Sequence, residues 1–140
     1  MALPTKIQLQ IVSAERSLVN ELVDEVEIPG ADGYFGVLPG HTPLLALLGA
    51  GELWYRKGDE KHYFAIIFGF AEVQPDRVTI LAATAESADM IDLARAEAAK
   101  RRAEERLARP QVDMDAERAR IALLKSLIRV QVASRAKIRS

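Results

Sequence analysis

Cysteine is absent from the 140 residues, which removes disulfides, thiolate metal ligands and a cysteine nucleophile. Histidine is nearly absent: His41 and His62 stand alone, neither in an HExxH or other metal-ligand spacing, so no metal site is expected. No serine sits in a G-x-S-x-G elbow. The carboxylates of the C-terminal third lie among arginines that would pair with them rather than raise their pKa. The residues thus read as a protein that works by binding partners, not as an enzyme. No apolar run approaches the length of a membrane span, and the opening MALPTKIQLQIVSAE lacks the basic-then-apolar order of a signal peptide. The expectation is a soluble, unprocessed chain with no direct membrane insertion. Six prolines and eight glycines against 49% apolar and 28% charged residues place it in the globular class. Its length allows one ordinary domain, or a small domain with an appendage.

What is present divides the chain in two. Ile7, Leu9 and Ile11 recur at every second position and predict a half-buried strand from Lys6 to Ser13. A looser β pattern spans Val19 to Ile28, with a phase change between Val23 and Val26 that implies a bend, and Pro29-Gly30 predicts its terminal turn. Further β-type runs are Glu52 to Arg56, His62 to Phe68 and Arg77 to Ala82, a spacing that indicates a sandwich or barrel. After Thr84 the β-branched residues thin out, and Ala, Leu, Arg and Glu take over. Ser87 or Asp89 is the expected cap of a helix running towards Ala108, which Pro110 breaks; Asp113 or Asp115 caps a second helix with a stripe of Ile121, Leu124, Leu127 and Ile128. The short link makes the pair an antiparallel hairpin. The expected architecture is an N-terminal antiparallel β-sandwich over residues 1–86 and a C-terminal two-helix hairpin over residues 87–140. Alanines dominate the inward face of the first helix and bury little area, so the hairpin depends on a second surface, its own β domain or a partner.

Charge follows the same division. Residues 1–86 carry 6 basic and 12 acidic side chains, and residues 113–140 carry 7 and 3, giving balances of −6 and +4 within a net charge of −1. The basic tail suits an acidic protein surface or a nucleic-acid backbone, but no aromatics interleave with its charges, which argues against single-stranded nucleic acid.

The densest local string is GADGYFGVLPGHTP, from Gly30 to Pro43. It contains no G-x-x-x-x-G-K-[ST] and no helix signal follows it, so its glycines read as turn residues and His41 as a polar loop residue. The run Gly33-x-x-Gly36-Val-Leu-Pro39-Gly40-His41-Thr42-Pro43-Leu44 nevertheless resembles the signature loop of the ε subunit of rotary proton-translocating ATP synthases. The resemblance extends to Ile11-Val-Ser-Ala-Glu15, to Glu72-Val-Gln-Pro-Asp-x-Val78-Thr79-Ile-Leu-Ala82 and to Ile91-Asp92-Leu-Ala-Arg95-Ala96, all in the family's order. Two departures stand out: Phe68 precedes Gly69 where the family often has two glycines, and Tyr34 occupies a loop position often held by a charged residue.

The resemblance implies a ten-stranded sandwich with a two-helix domain, in a non-catalytic rotor subunit that binds γ and rests on the c-ring. It implies a peripheral location at the cytoplasmic face of a bacterial plasma membrane, or the stromal face of a thylakoid. Tyr34, Gly36, Pro39, Gly40 and His41 become candidate rotor contacts. The hairpin is expected either to fold onto the sandwich or to extend along γ. In the extended state Arg118, Arg120, Lys125, Arg129 and Arg135 meet an acidic region of a catalytic β subunit and inhibit ATP hydrolysis. Ile91-Asp92-x-x-Arg95-Ala96 resembles the ATP-binding sequence of some bacterial ε subunits, with ATP as a regulatory ligand and no cofactor required. On that likeness Glu86, Ile91, Asp92, Arg95, Ala96, Arg102, Lys125 and Arg129 form the candidate nucleotide site. Lys125 stands where the ATP-binding members have arginine, so a point charge replaces one bidentate contact. Asp92 also has a plainer role at a helix N-terminus. The competing reading is a free-standing nucleotide or nucleic-acid binding regulator whose arm is the basic hairpin.

Overall fold

The computed structural model describes residues 3–109 and 115–139. Seven strands come first: β1 (Ile7–Ser13), β2 (Ser17–Val23), β3 (Glu25–Gly30), β4 (Gly33–Val37), β5 (Leu44–Lys57), β6 (Glu60–Gln74) and β7 (Arg77–Ser87). Helices α1 (Leu93–Ala108) and α2 (Ala116–Arg139) follow, joined to β7 through a 3₁₀ turn at Ala88–Met90. The hydrogen-bonded order is β2-β1-β7-β6-β5-β3-β4. Neighbours are antiparallel except β1 and β7, which run parallel from Gln8 opposite Arg77 to Ser13 opposite Ala82. The expected antiparallel sandwich is thus observed with a single parallel ladder, where the N-terminal strand closes against the last strand rather than against a hairpin neighbour. The seven strands also replace the ten implied by resemblance, since β5, β6 and β7 continue through 14, 15 and 11 residues.

Those long strands make two layers from one ladder. In β6 the core takes Phe64 and Ile66 on one side of Phe68, and Ala71 and Val73 on the other, so the inward phase flips between them. β7 flips between Ala82 and Ala85, and β5 between Leu48 and Leu53. The flip lies where Phe68 takes φ 58 and Gly69 takes φ 132. A Cβ on Gly69 would lie 2.0 Å from the Leu81 carbonyl oxygen, so glycine is required at the crease. The core between the layers consists of Ile7, Leu9, Ile11, Val26, Ile28, Leu53, Ile66, Ile80 and neighbours, all from the strands.

Several boundaries differ from the sequence expectation. The predicted bend near Val23 is observed, with Asp24 separating β2 from β3. The turn expected at Pro29-Gly30 comes two residues later, at Ala31-Asp32, because Pro29 and Gly30 still pair with Tyr34 and Gly33. β4 was not anticipated inside the glycine-rich string, and β5 begins at Leu44 rather than Glu52. Pro110 and Asp113, invoked as helix breaker and cap, lie outside the described residues. Asp115 does cap α2, its Oδ1 accepting from the Arg118 N–H at 3.1 Å.

The helices pack through small side chains. Ala96 and Ala103 on α1, and Ala119, Ser126 and Ala133 on α2, are buried at seven-residue spacing. Ile128 and Val132 of α2 rest on Ala65, with Ala50, Tyr63, Ala88 and Ile91 at the margin. The anticipated stripe is therefore corrected: Leu124 and Leu127 remain 39% and 41% exposed, and Ile128 alone of the four is buried. Small residues allow the two backbones to approach closely, and the larger leucines then point away from the seam.

Candidate functional site

β7 carries Glu86 to the edge of the sandwich, and the 3₁₀ turn redirects the chain before α1 starts. Ser87 makes no capping bond through its side chain. The cap of α1 is Asp92, whose Oδ1 accepts from the Arg95 N–H at 3.1 Å, so the expected Ser87 or Asp89 cap is corrected to a residue beyond the 3₁₀ turn. From that start α1 presents Arg95, Ala96, Ala99 and Arg102 along one side, three or four residues apart. α2 returns with Ser126 and Arg129 opposite them.

A cavity of about 450 Å³ lies at this junction of sandwich and hairpin. Its lining includes Glu86, Ile91, Asp92, Arg95, Ala96, Arg102 and Arg129, seven of the eight residues singled out for a nucleotide. Met90, Ala99 and Ser126 complete it and escaped the sequence reading. Ala99 and Ser126 are a small floor whose signal is their helical spacing from Ala96 and Arg129. The eighth residue, Lys125, lines an adjoining cavity of about 310 Å³ together with Arg102, Arg106 and Arg129. Arg106, four residues after Arg102, was also missed.

The electrostatics are graded along this space. At the sandwich end stand two carboxylates, with apolar Met90 and Ile91 beside them. The Glu86 Oε1 accepts from Arg129 Nε at 2.6 Å, tying α2 to β7. At the other end Arg102, Arg106 and Lys125 have no ion pair among the described residues, and the second cavity has no acidic lining residue. The arrangement suits an elongated molecule with a flat, hydrogen-bond-donating head and a polyanionic tail, since guanidinium groups take phosphate oxygens in charge-assisted pairs. Among the described residues no group of side chains could hold a metal ion.

The candidate partner residues fall in three places. Tyr34 and Gly36 belong to β4, an edge strand, and are exposed. Pro39, Gly40 and His41 lie in the following loop, which the Gly40 N–H fastens to the Pro75 carbonyl at 2.8 Å. His41 Nδ1 approaches the Thr42 carbonyl at 2.6 Å. Among the α2 cations, Arg118 is exposed and Arg120 pairs with Glu117 at 2.8 Å. Arg129 and Arg135 instead face the chain's own sandwich, Arg135 through two 3.1 Å hydrogen bonds to Glu52. An apolar row missed by sequence reasoning lies on the outer sheet face, where Leu47 pairs with Phe70 and Phe70 with Leu81. These three side chains are 60%, 51% and 52% exposed. Among the described residues no helix is long and apolar enough to cross a membrane.

Comparison with known proteins gives a consistent result. Residues 6–88 match the family described as ATP synthase, Delta/Epsilon chain, beta-sandwich domain, and residues 89–134 match its long alpha-helix domain. ATP synthase epsilon chain 2 of Syntrophotalea carbinolica is 47% identical over 131 residues, covering 93% of this chain and 95% of that one. The ATP synthase epsilon chain of Syntrophobacter fumaroxidans is 48% identical over 130 residues, covering 93% and 97%. Among solved structures, a chain of the Euglena gracilis mitochondrial ATP synthase, OSCP/F1/c-ring in rotational state 1, superposes with a TM-score of 0.81 at 26% identity. That superposition covers 95% of this chain and 84% of the other. A chain of the Tetrahymena thermophila mitochondrial ATP synthase central stalk/c-ring shares the fold, with a TM-score of 0.57 at 14% identity, over 96% and 98% of the two chains.

Proposed function

Because the chain belongs to the delta/epsilon family of ATP synthase subunits, as an ε chain of the central stalk, we propose that it is a non-catalytic rotor subunit that couples γ to the c-ring and regulates ATP hydrolysis through a nucleotide-held hairpin. The observation that carries the regulatory part is the cavity at the junction. Its walls come from β7, the segment after it, α1 and α2, so one ligand touching all four holds the hairpin down on the sandwich. ATP fits the graded chemistry: Ile91 and Met90 offer packing for a base, and Arg95, Arg102, Arg129 and Lys125 offer charge for phosphates. Arg129 then exchanges its Glu86 partner for a phosphate oxygen, or is shared between them. Release of the ligand frees α2, whose Arg118, Arg120, Lys125, Arg129 and Arg135 become available to an acidic surface of the catalytic β subunit. Each exposed pair contributes about 0–1 kcal/mol, which suits a reversible latch.

The remaining surfaces serve assembly. The outer row of Leu47, Phe70 and Leu81 is the kind of apolar patch that proteins bury against partners, and we assign it to γ. The β4 edge and its loop, Tyr34 to His41, then face the c-ring, with the complex peripheral to the cytoplasmic face of the membrane. A nucleic-acid role is disfavoured because two of the tail cations are spent on the sandwich itself.

Calorimetric titration of the isolated chain with ATP tests the nucleotide reading. Arg95→Ala is expected to weaken binding by roughly tenfold or more, the loss of one charge-assisted contact. Asp92→Ser, which keeps a capping oxygen, separates ligand loss from helix loss. Absence of saturable binding at millimolar ATP overturns it and leaves the rotor assignment standing.

A further inference from the structure

We infer that Tyr34 is a positioning residue for the hairpin: through Glu52 it sets the clamp that holds Arg135, and thereby links the exposed β4 edge to the docking of α2. The linkage begins in a fault of the sheet. β3 and β5 pair at Glu27 opposite Trp54 and next at Gly30 opposite Leu48, so β5 bulges between these points. Glu52 lies in the bulge, and its N–H donates to the Tyr34 hydroxyl at 3.0 Å in place of a ladder carbonyl. The neighbouring residue is shaped for this contact. A Cβ on Gly51 would fall 2.4 Å from the Tyr34 hydroxyl oxygen and 2.7 Å from Pro29 Cβ, so the tyrosine reaches Glu52 because Gly51 has no side chain.

Glu52 is 6% exposed and is one of two buried polar residues among the described residues. A buried carboxylate demands a partner, and Arg135 supplies both bonds of a bidentate pair, Nε to Oε2 and Nη2 to Oε1, each 3.1 Å. Its guanidinium also lies over the Tyr63 ring, 5.1 Å from the centroid. The pair seals the C-terminal half of α2, beyond the Ile128 and Val132 contact with Ala65. The two ends of the chain of contacts differ in exposure: Tyr34 is 55% exposed on an edge strand, whereas Glu52 is covered. A partner that draws Tyr34 away from Gly51 leaves the Glu52 N–H without an acceptor and lets β5 relax in its bulge. Displacing the carboxylate even slightly breaks a geometry that only bidentate alignment satisfies. The hairpin then loses its clamp without any ligand leaving the cavity near Glu86.

The inference rests on the hairpin being a docked element and not on nucleotide binding, so its test uses the full chain with no nucleotide and no partner. Amide hydrogen exchange is followed in α2, in β5, and in β1 and β6 as a core reference. Tyr34→Phe removes only the hydroxyl and is expected to accelerate exchange in α2 beyond Ile128 by roughly fivefold, the loss of one hydrogen bond's worth of local stability. In an Arg135→Gln background the same change is expected to add nothing to α2, because the clamp is already open. Unchanged α2 exchange in Tyr34→Phe overturns the proposal, as does an undiminished effect in the Arg135→Gln background. If Tyr34→Phe also loosens β1 and β6, the decision passes to the excess: α2 exchange beyond Ile128 accelerated more than that of β1 and β6 supports the linkage, and equal acceleration of all three overturns it.

Discussion

Asp24 gathers more of the sandwich than any pattern in its neighbourhood announces. It sits at the bend between β2 and β3, accepts from the Gly58 N–H at 2.7 Å, and pairs with Lys6, while Arg56 lies 3.9 Å away. The Gly58 hydrogen bond first, and the Lys6 contact second, hold its pKa below the ordinary 3.8. A carboxyl depressed in the folded state contributes stability that is fully present above its unfolded value and is lost as pH falls through the folded one. Asp24→Asn is therefore expected to lower the melting temperature by a few degrees at pH 7. The gap should close below pH 3.8, and a gap that persists unchanged at pH 2–3, roughly a unit below that, contradicts the assignment. Tyr55 shows the opposite tendency, its phenol pushed up by burial and by Glu21, whose Oε2 accepts a hydrogen bond from the hydroxyl at 3.1 Å. Phe68 is the residue at odds with local preference, since a left-handed φ costs a bulky side chain about 1–2 kcal/mol and it remains 40% exposed.

At the scale of elements, the hairpin depends on what its seam lacks. Ala119 is 5% exposed in the seam and lines neither of the two cavities, so a larger side chain there has to push the helices apart. Ala119→Leu is expected to cost about 1–3 kcal/mol in docking of the helices. It should show as faster exchange in α1 and α2 with β1 and β6 still protected; equal loosening of all four elements contradicts an autonomous sandwich. The same seam explains where sequence reading reached and where it stopped. Strand β1 was legible because Ile7, Leu9 and Ile11 alternate strictly and all are buried. The first half of β5 was not, because Leu44, Leu45 and Leu47 face outward and spoil the alternation. The α2 stripe failed because apolar size was taken as a proxy for burial, whereas Ala119, Ser126 and Ala133 are covered by close approach. Most of the cavity lining was read from its likeness to a known motif. Ser126, Ala99 and Arg106 carry no chemical signature of their own and emerge from the antiparallel return of α2.

For the whole molecule, the division of labour is visible in the core. Every side chain of the main hydrophobic cluster comes from residues 7–85, and the hairpin adds a second, smaller cluster on the outside. A chain ended after Ala88 is accordingly expected to unfold cooperatively with a β-type circular dichroism spectrum. Loss of cooperativity would mean that the helices stabilise the sandwich core. That shortened protein exposes Glu52, Ala65 and Tyr63, so added salt should affect its solubility more than that of the full chain.

The parallel pairing of β1 with β7 also orders events in time. Gln8 to Ser13 cannot find residues 77–82 until most of the chain has left the ribosome, and such distant pairings are slow to form. During that interval β1 has β2 on one side and a bare edge on the other. The acidic balance of the first 86 residues then acts as a guard, since mutual repulsion between nascent copies opposes the edge-to-edge aggregation that an unfinished sheet invites. The basic α2 follows the strands in the chain, so Glu52 and Glu86 are already made when Arg129 and Arg135 come to pair with them.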